Sequence, residues 1–180
     1  MTNRLHTRLI VLTLLVAVVT ACATSPTGRR QLMLVSEESA IANSKTAYVA
    51  TVKDFNDNGQ LVTNPAVLSR VNEITGRLIA QAIKMRPDTA DWEWSVVVVD
   101  DPQTVNAWCM AGGRMALYTG LLQQIEPTDD ELAQVMGHEI GHALANHTAE
   151  KMSVQMASAI GVAAVGVAAG SDNRGLALTG

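Results

Sequence analysis

The stretch His138-Glu139-Ile140-Gly141-His142 combines residue types and spacing that suit a known chemical task. On an α-helix, residues four apart are turned by about 400°, which leaves them roughly 40° apart around the axis. Two imidazoles so placed reach one ion, the HExxH arrangement. Neutral imidazole binds Zn2+ at about 2.0–2.1 Å, and the ion lowers the pKa of water to about 7. Glu139 stands about 100° round the helix from His138, beside such an ion rather than on it. That is the place of a general base, which takes a proton from water and returns it to a leaving amine. The expected chemistry is amide hydrolysis with Zn2+ as cofactor, His138 and His142 as metal ligands, and Glu139 as catalytic base. Apolar Val135, Met136, Ile140 and Leu144 around them argue against a merely solvated helix face.

A third ligand has no comparable signal. On a continuous helix His147, nine residues past His138, lies about 180° round and faces away; it is expected to be a surface or capping residue. Glu150 on the same helix is about 12 Å along the axis from His142, out of reach. Asp172 could ligate zinc chemically, but Ser171-Asp172-Asn173-Arg174-Gly175 reads as a solvated loop. The metzincin pattern would need glycine at 145 and histidine at 148, where the chain has Ala145 and Thr148.

The elements that must position these residues have their own signals. Thr128 and Glu131 form a capping box, with Asp129 and Asp130 in the first turn, so a helix starts just ahead of the motif. Upstream, Ser36 before Glu37 and Glu38 starts a helix that carries Ile41, Tyr48, Val49, Val52 and Phe55 at helical spacing and ends at Asn58-Gly59. Asn64 caps a second helix with Pro65 at its first position, which Pro87 stops. Trp92, Trp94 and the valines at 96–99 predict a strand in the middle of a small sheet. Residues 114–118 predict another after the turn signal Gly112-Gly113, and 121–125 a short helix.

Composition narrows the classes. An apolar fraction of 48% can build a core, and 13 Lys+Arg against 17 Asp+Glu leave a net charge of −4, with no basic face for a phosphate backbone. No nucleic-acid partner is expected. Arg4 and Arg8 precede an apolar run at 9–19, the layout of an export signal. Val19-Thr20-Ala21-Cys22 resembles the bacterial lipobox, which makes residues 1–21 a lipoprotein signal peptide, Cys22 the lipidation site, 22–31 a tether and 32–180 the folded domain. The membrane is then a partner through the N-terminal lipid. Ala23 leans toward the outer membrane, facing the periplasm. Cys109, left without a partner, is expected to be a buried thiol with no catalytic part. Residues 152–171 carry no charge and are rich in small side chains, a weak membrane span and a plausible packed helix. The chain stops soon after a new apolar stretch begins at Leu176, as expected of a C-terminally truncated protein.

Three segments together resemble metallopeptidase family 48: Gly28-Arg29-Arg30-Gln31-Leu32; Val105-Asn106-Ala107-Trp108 through Gly112-Gly113 to Tyr118-Thr119-Gly120-Leu121-Leu122; and Gly137-His138-Glu139-Ile140-Gly141-His142-Ala143-Leu144-Ala145. This is the gluzincin family of CAAX prenyl endopeptidase and HtpX, and the chain resembles in particular its bacterial envelope lipoprotein branch. The resemblance implies an α+β, zincin-like fold of N-terminal helices, a small sheet and the HExxH helix. It implies that the strand before Gly112-Gly113 is an edge along which an extended substrate pairs, with Asn106, Ala107, Gly112 and Gly113 at the substrate. The family's third ligand is a glutamate in a Glu-x-x-x-Asp pattern, which this chain does not match, and Ala111 stands where members often carry proline. The implied function is zinc-dependent endopeptidase action on misfolded or damaged envelope proteins. The alternative is an inactive fragment, or an envelope lipoprotein that binds proteins without cleaving them.

Overall fold

A computed structural model describes residues 22–24 and 28–175, with side chains for Thr24 and 28–162. The expected signal peptide, residues 1–21, and the stretch 176–180 lie outside the described residues. The chain divides into two compact units: Ser36–Thr148, and the described parts of Met1–Val35 with Ala149–Gly180.

In the first unit, helix α1 is Glu37–Asp57, begun by Ser36, whose hydroxyl accepts the Ser39 N–H at 3.2 Å. Helix α2 is Pro65–Met85, capped by Asn64, whose side-chain oxygen accepts from the N–H groups of Ala66 and Val67. Both begin where the capping signals place them. A 3-10 turn, Pro87–Asp91, leads to strand β3, Ser95–Val99. The tryptophans precede this strand rather than joining it: Trp94 Nε1 donates to the Thr89 carbonyl at 2.8 Å, and the Arg86 guanidinium lies over the Trp92 ring.

Strand β4, Ala107–Met110, and strand β5, Arg114–Tyr118, complete a sheet of order β3-β5-β4, with β3 parallel and β4 antiparallel to β5. The valine strand is therefore not central, as its composition suggests. Strand β5 takes the middle, with Met115, Ala116 and Leu117 wholly buried, while β3 starts exposed at Ser95. The outer side of β3 is met by the 60–62 segment, through Val62 N–H to Val98 O at 2.9 Å and Asp100 N–H to Gln60 O at 2.6 Å. Among the described residues, the outer side of β4 has no strand partner. The β4–β5 turn needs positive φ at Gly112 (84°) and Gly113 (82°), which glycine adopts without steric cost. A Cβ on Gly113 would come within 2.5 Å of the Trp94 ring.

Helix α3, Thr119–Gln124, precedes helix α4, Asp129–Leu144. The core lies between α2, the sheet and α4, from Val71, Ile74, Val98, Met115, Leu117, Leu132, Met136 and Ile140 among others. Leu132, Met136 and Ile140 repeat every four residues and turn one face of α4 inward. His138 and His142 are each about 200° round from Ile140, and this burial commits them to the outer face.

The second unit holds strand β1, Cys22–Thr24, antiparallel to strand β2, Arg30–Leu32, and helix α5, His147–Gly175, from Ala149 onward. Residues expected in the tether are engaged here: Arg29 pairs with Glu150, and Gln31 Nε2 donates to Glu150 at 3.2 Å. Residues 171–175, expected as a loop, continue the helix in their backbone. Ser, Asp and Asn cost only fractions of a kcal/mol each in a helix, roughly 0.7 at most, and an established helix gains a hydrogen bond with each added residue. No helix of the described residues is long and apolar enough to cross a membrane.

Candidate metal centre

The site is anchored at the start of α4. Thr128 Oγ1 accepts the Glu131 N–H at 3.3 Å, and the Glu131 carboxylate accepts the Thr128 N–H at 2.8 Å, completing the capping box. Arg70 of α2 ties this end down through Asp129 at 2.7 Å and the Pro127 carbonyl at 2.6 Å. Two turns further on, His138 Nε2 and His142 Nε2 converge to 2.9 Å with their rings nearly perpendicular. His138 is exposed, and Glu139 and His142 are partly buried. Beside them on β4, burial and then the Glu139 charge push the Cys109 thiol up to about 12. This agrees with an inert thiol, although Cys109 is partly buried rather than fully buried as expected, and the Glu139 charge is felt at β4.

The structure overturns the expectation for His147. Helix α4 is not continuous with α5: Ala145 caps it, with its N–H on the Gly141 carbonyl at 3.0 Å, and Asn146 turns left-handed at φ 58°. Asparagine tolerates that conformation better than other side-chain-bearing residues. A clamp of distant residues holds the break. Arg86 donates to the Leu144 carbonyl at 2.9 Å and to Asn146 Oδ1 at 3.3 Å, and it pairs with Glu37; Asn146 Nδ2 in turn donates to Glu37 at 3.0 Å. The helix is broken there, and His147 Nδ1 lies 2.6 Å from His142 Nδ1, with ring centroids 4.8 Å apart. His147 is partly buried against a motif histidine rather than turned away from it. The axial distance argued for Glu150 rested on the same continuous helix and lapses with it; Glu150 is engaged by Arg29 and Gln31.

The donors suit zinc in kind, since imidazole is a common ligand for it. Two nitrogens, His138 Nε2 and His142 Nε2, share one point of approach. His147 does not add a third there, because it meets the opposite nitrogen of the His142 ring. Among the described residues no group of three or more His, Cys, Asp or Glu side chains could hold a metal.

Of the expected substrate contacts, Asn106 is exposed just before β4, with its carbonyl accepting the Tyr118 N–H at 3.1 Å, and Ala107 is buried at the start of β4. Gly112 and Gly113 are buried at the other end of the strand, in its turn. His147, Arg86, Asn146 and Glu37 were not legible as parts of the site; the one available signal was asparagine as a helix stop.

An HExxH helix packed against the edge strand of a small sheet is the layout of the zincin-like metallopeptidases. The model of Peptidase family M48 matches residues 65–180, and the chain belongs to that family, whose members are metal-dependent peptidases. It is 35% identical over 126 residues to the human mitochondrial metalloendopeptidase OMA1, covering 69% of this chain and 23% of that protein. It is 29% identical over 154 residues to the Escherichia coli metalloprotease YcaL, covering 80% of this chain and 58% of the relative. With the E. coli metalloprotease LoiP the identity is 35% over 126 residues, covering 68% and 46%. The matches thus span between about a quarter and somewhat more than half of these relatives.

Proposed function

We propose that this chain is a zinc-dependent endopeptidase that hydrolyses peptide bonds of misfolded or damaged cell-envelope proteins, held to the membrane by lipid on Cys22. The observation that carries the reading is the convergence of the His138 and His142 Nε2 atoms on a helix that packs against the edge strand and carries Glu139 between them. His138 and His142 would hold the ion; when bound, zinc supplies Lewis acidity to a carbonyl and acidifies water. Glu139 accepts the proton of the attacking water and passes it to the leaving amine. The outer side of β4 offers backbone groups to an extended segment of substrate. Pairing of that kind makes little demand on side chains and suits damaged proteins of varied sequence. Cys22, behind the lipobox-like run, supports location in the bacterial envelope, at the outer membrane facing the periplasm.

The test is hydrolysis of unfolded casein by the full chain with zinc added, beside Glu139→Gln. Loss of a general base is expected to lower the rate by about 100-fold or more, and a chelator should abolish cleavage until zinc is restored. A second reading is favoured by the presence of only two convergent imidazoles among the described residues: an envelope lipoprotein that binds unfolded proteins without cutting them. Equal inactivity of both proteins with casein still bound would establish it.

A further inference from the structure

His142 is held between two other histidines, one on each ring nitrogen. Its Nε2 faces His138 Nε2 at 2.9 Å, and its Nδ1 faces His147 Nδ1 at 2.6 Å. A neutral imidazole carries one hydrogen and one lone pair, so the partner of one nitrogen decides what the other can offer. If Nδ1 holds the hydrogen and donates it to His147, the Nε2 lone pair is free on the side shared with His138. If His147 donates instead, the His142 hydrogen must sit on Nε2 and occupies the position a metal needs.

We propose that His147 is a positioning residue: it accepts the Nδ1–H of His142 through its own Nδ1, keeps its own hydrogen on Nε2, and thereby presents the His142 Nε2 lone pair to the metal. This rests on the metal reading of His138 and His142 given above. Outer partners of this kind hold both the tautomer and the ring orientation of a ligand. The fold commits itself to the contact: the left-handed Asn146 and the clamp of Arg86 and Glu37 together return His147 to the ring it would leave on an unbroken helix. HExxH itself specifies the two Nε2 atoms and leaves the far side of His142 unassigned; His147 fills that side.

The test compares the full chain with His147→Ala and with His147→Asn, whose Oδ1 can take the place of Nδ1 as acceptor. Zinc affinity, read at pH 8 by competition with a chromophoric chelator, should fall 10–100-fold in His147→Ala and return to within a few-fold in His147→Asn. In the zinc-saturated parent, long-range proton–nitrogen correlation spectra should show the His142 hydrogen on Nδ1 and the His147 hydrogen on Nε2. Unchanged affinity in His147→Ala overturns the proposal, as does a His147→Asn variant as weak as the alanine one. Should His147→Ala fail to fold, the parent spectrum decides: a zinc-bound His142 without a hydrogen on Nδ1 overturns it. Zinc that leaves the His138 and His142 signals of the parent unmoved overturns the metal reading and this inference together. Zinc that moves them without any dependence on residue 147 overturns this inference alone.

Discussion

Cys109 shows how the environment of a single residue decides its chemistry. Burial first, and the neighbouring Glu139 charge second, raise its thiol from 9.0 to about 12, so in the metal-free chain at neutral pH it stays protonated and is a poor nucleophile. The pH dependence follows from proton counts. Below about 9 the thiol is protonated in both folded and unfolded chains and contributes no difference. Between there and about 12 the unfolded chain releases a proton that the native one retains, so stability falls as pH rises, by about 1.4 kcal/mol per unit within that window. Urea midpoints of the metal-free protein across this range should decline more steeply than those of Cys109→Ala. Parallel slopes would show that the thiol is not buried in this way.

At the scale of elements, the junction between α4 and α5 depends on side chains from elsewhere in its unit. Arg86, at the C-terminal end of α2, satisfies the Leu144 carbonyl at the end of α4 and neutralises Glu37 at the first turn of α1. Arg86→Met keeps most of the volume and removes every donor. It leaves the partly buried Glu37 carboxylate without its guanidinium and the Leu144 carbonyl without that donor. A loss of about 2–3 kcal/mol is expected, measured by denaturant midpoint. Amide exchange at 144–148 should accelerate beyond what that global loss explains, because the clamp acts locally on the turn. Zinc affinity should fall as well, since the same turn carries His147.

For the whole molecule, the division between core and site makes a prediction about metal removal. The core between α2, the sheet and α4 is built of aliphatic and methionine side chains, whereas the two histidines lie on the outer face of α4. The fold of residues 36–148 therefore does not depend on an ion, unlike small zinc domains that unfold without metal. Dialysis against a chelator should leave far-UV and near-UV circular dichroism intact with a cooperative thermal transition. Zinc restored at about 100 times its dissociation constant should raise stability by roughly 2.7 kcal/mol. Loss of the near-UV signal on chelation would show that metal is structural here.

What could be read without coordinates is local. The spacing of His138 and His142, the capping box at Thr128, the caps at Ser36 and Asn64 and the strand at 114–118 follow from helix and strand periods and from hydrogen bonds within a few residues. Their partners lie close in the chain, so sequence by itself determined that a histidine pair and a glutamate share a well-initiated helix. Tertiary structure decided which strand is central, because a valine run fits an edge or a middle position equally and only the packing of Met115, Ala116 and Leu117 between neighbours selects β5. It likewise decided the place of His147. The one local signal for a break is Asn146 itself, which is too weak to decide it; the break is also held by Arg86 and Glu37, 60 and 109 residues away from Asn146 in the chain. A periodicity argument extends a helix until a local signal stops it, and here the stop is a long-range hydrogen-bond network that exists only once α1 and α2 are packed.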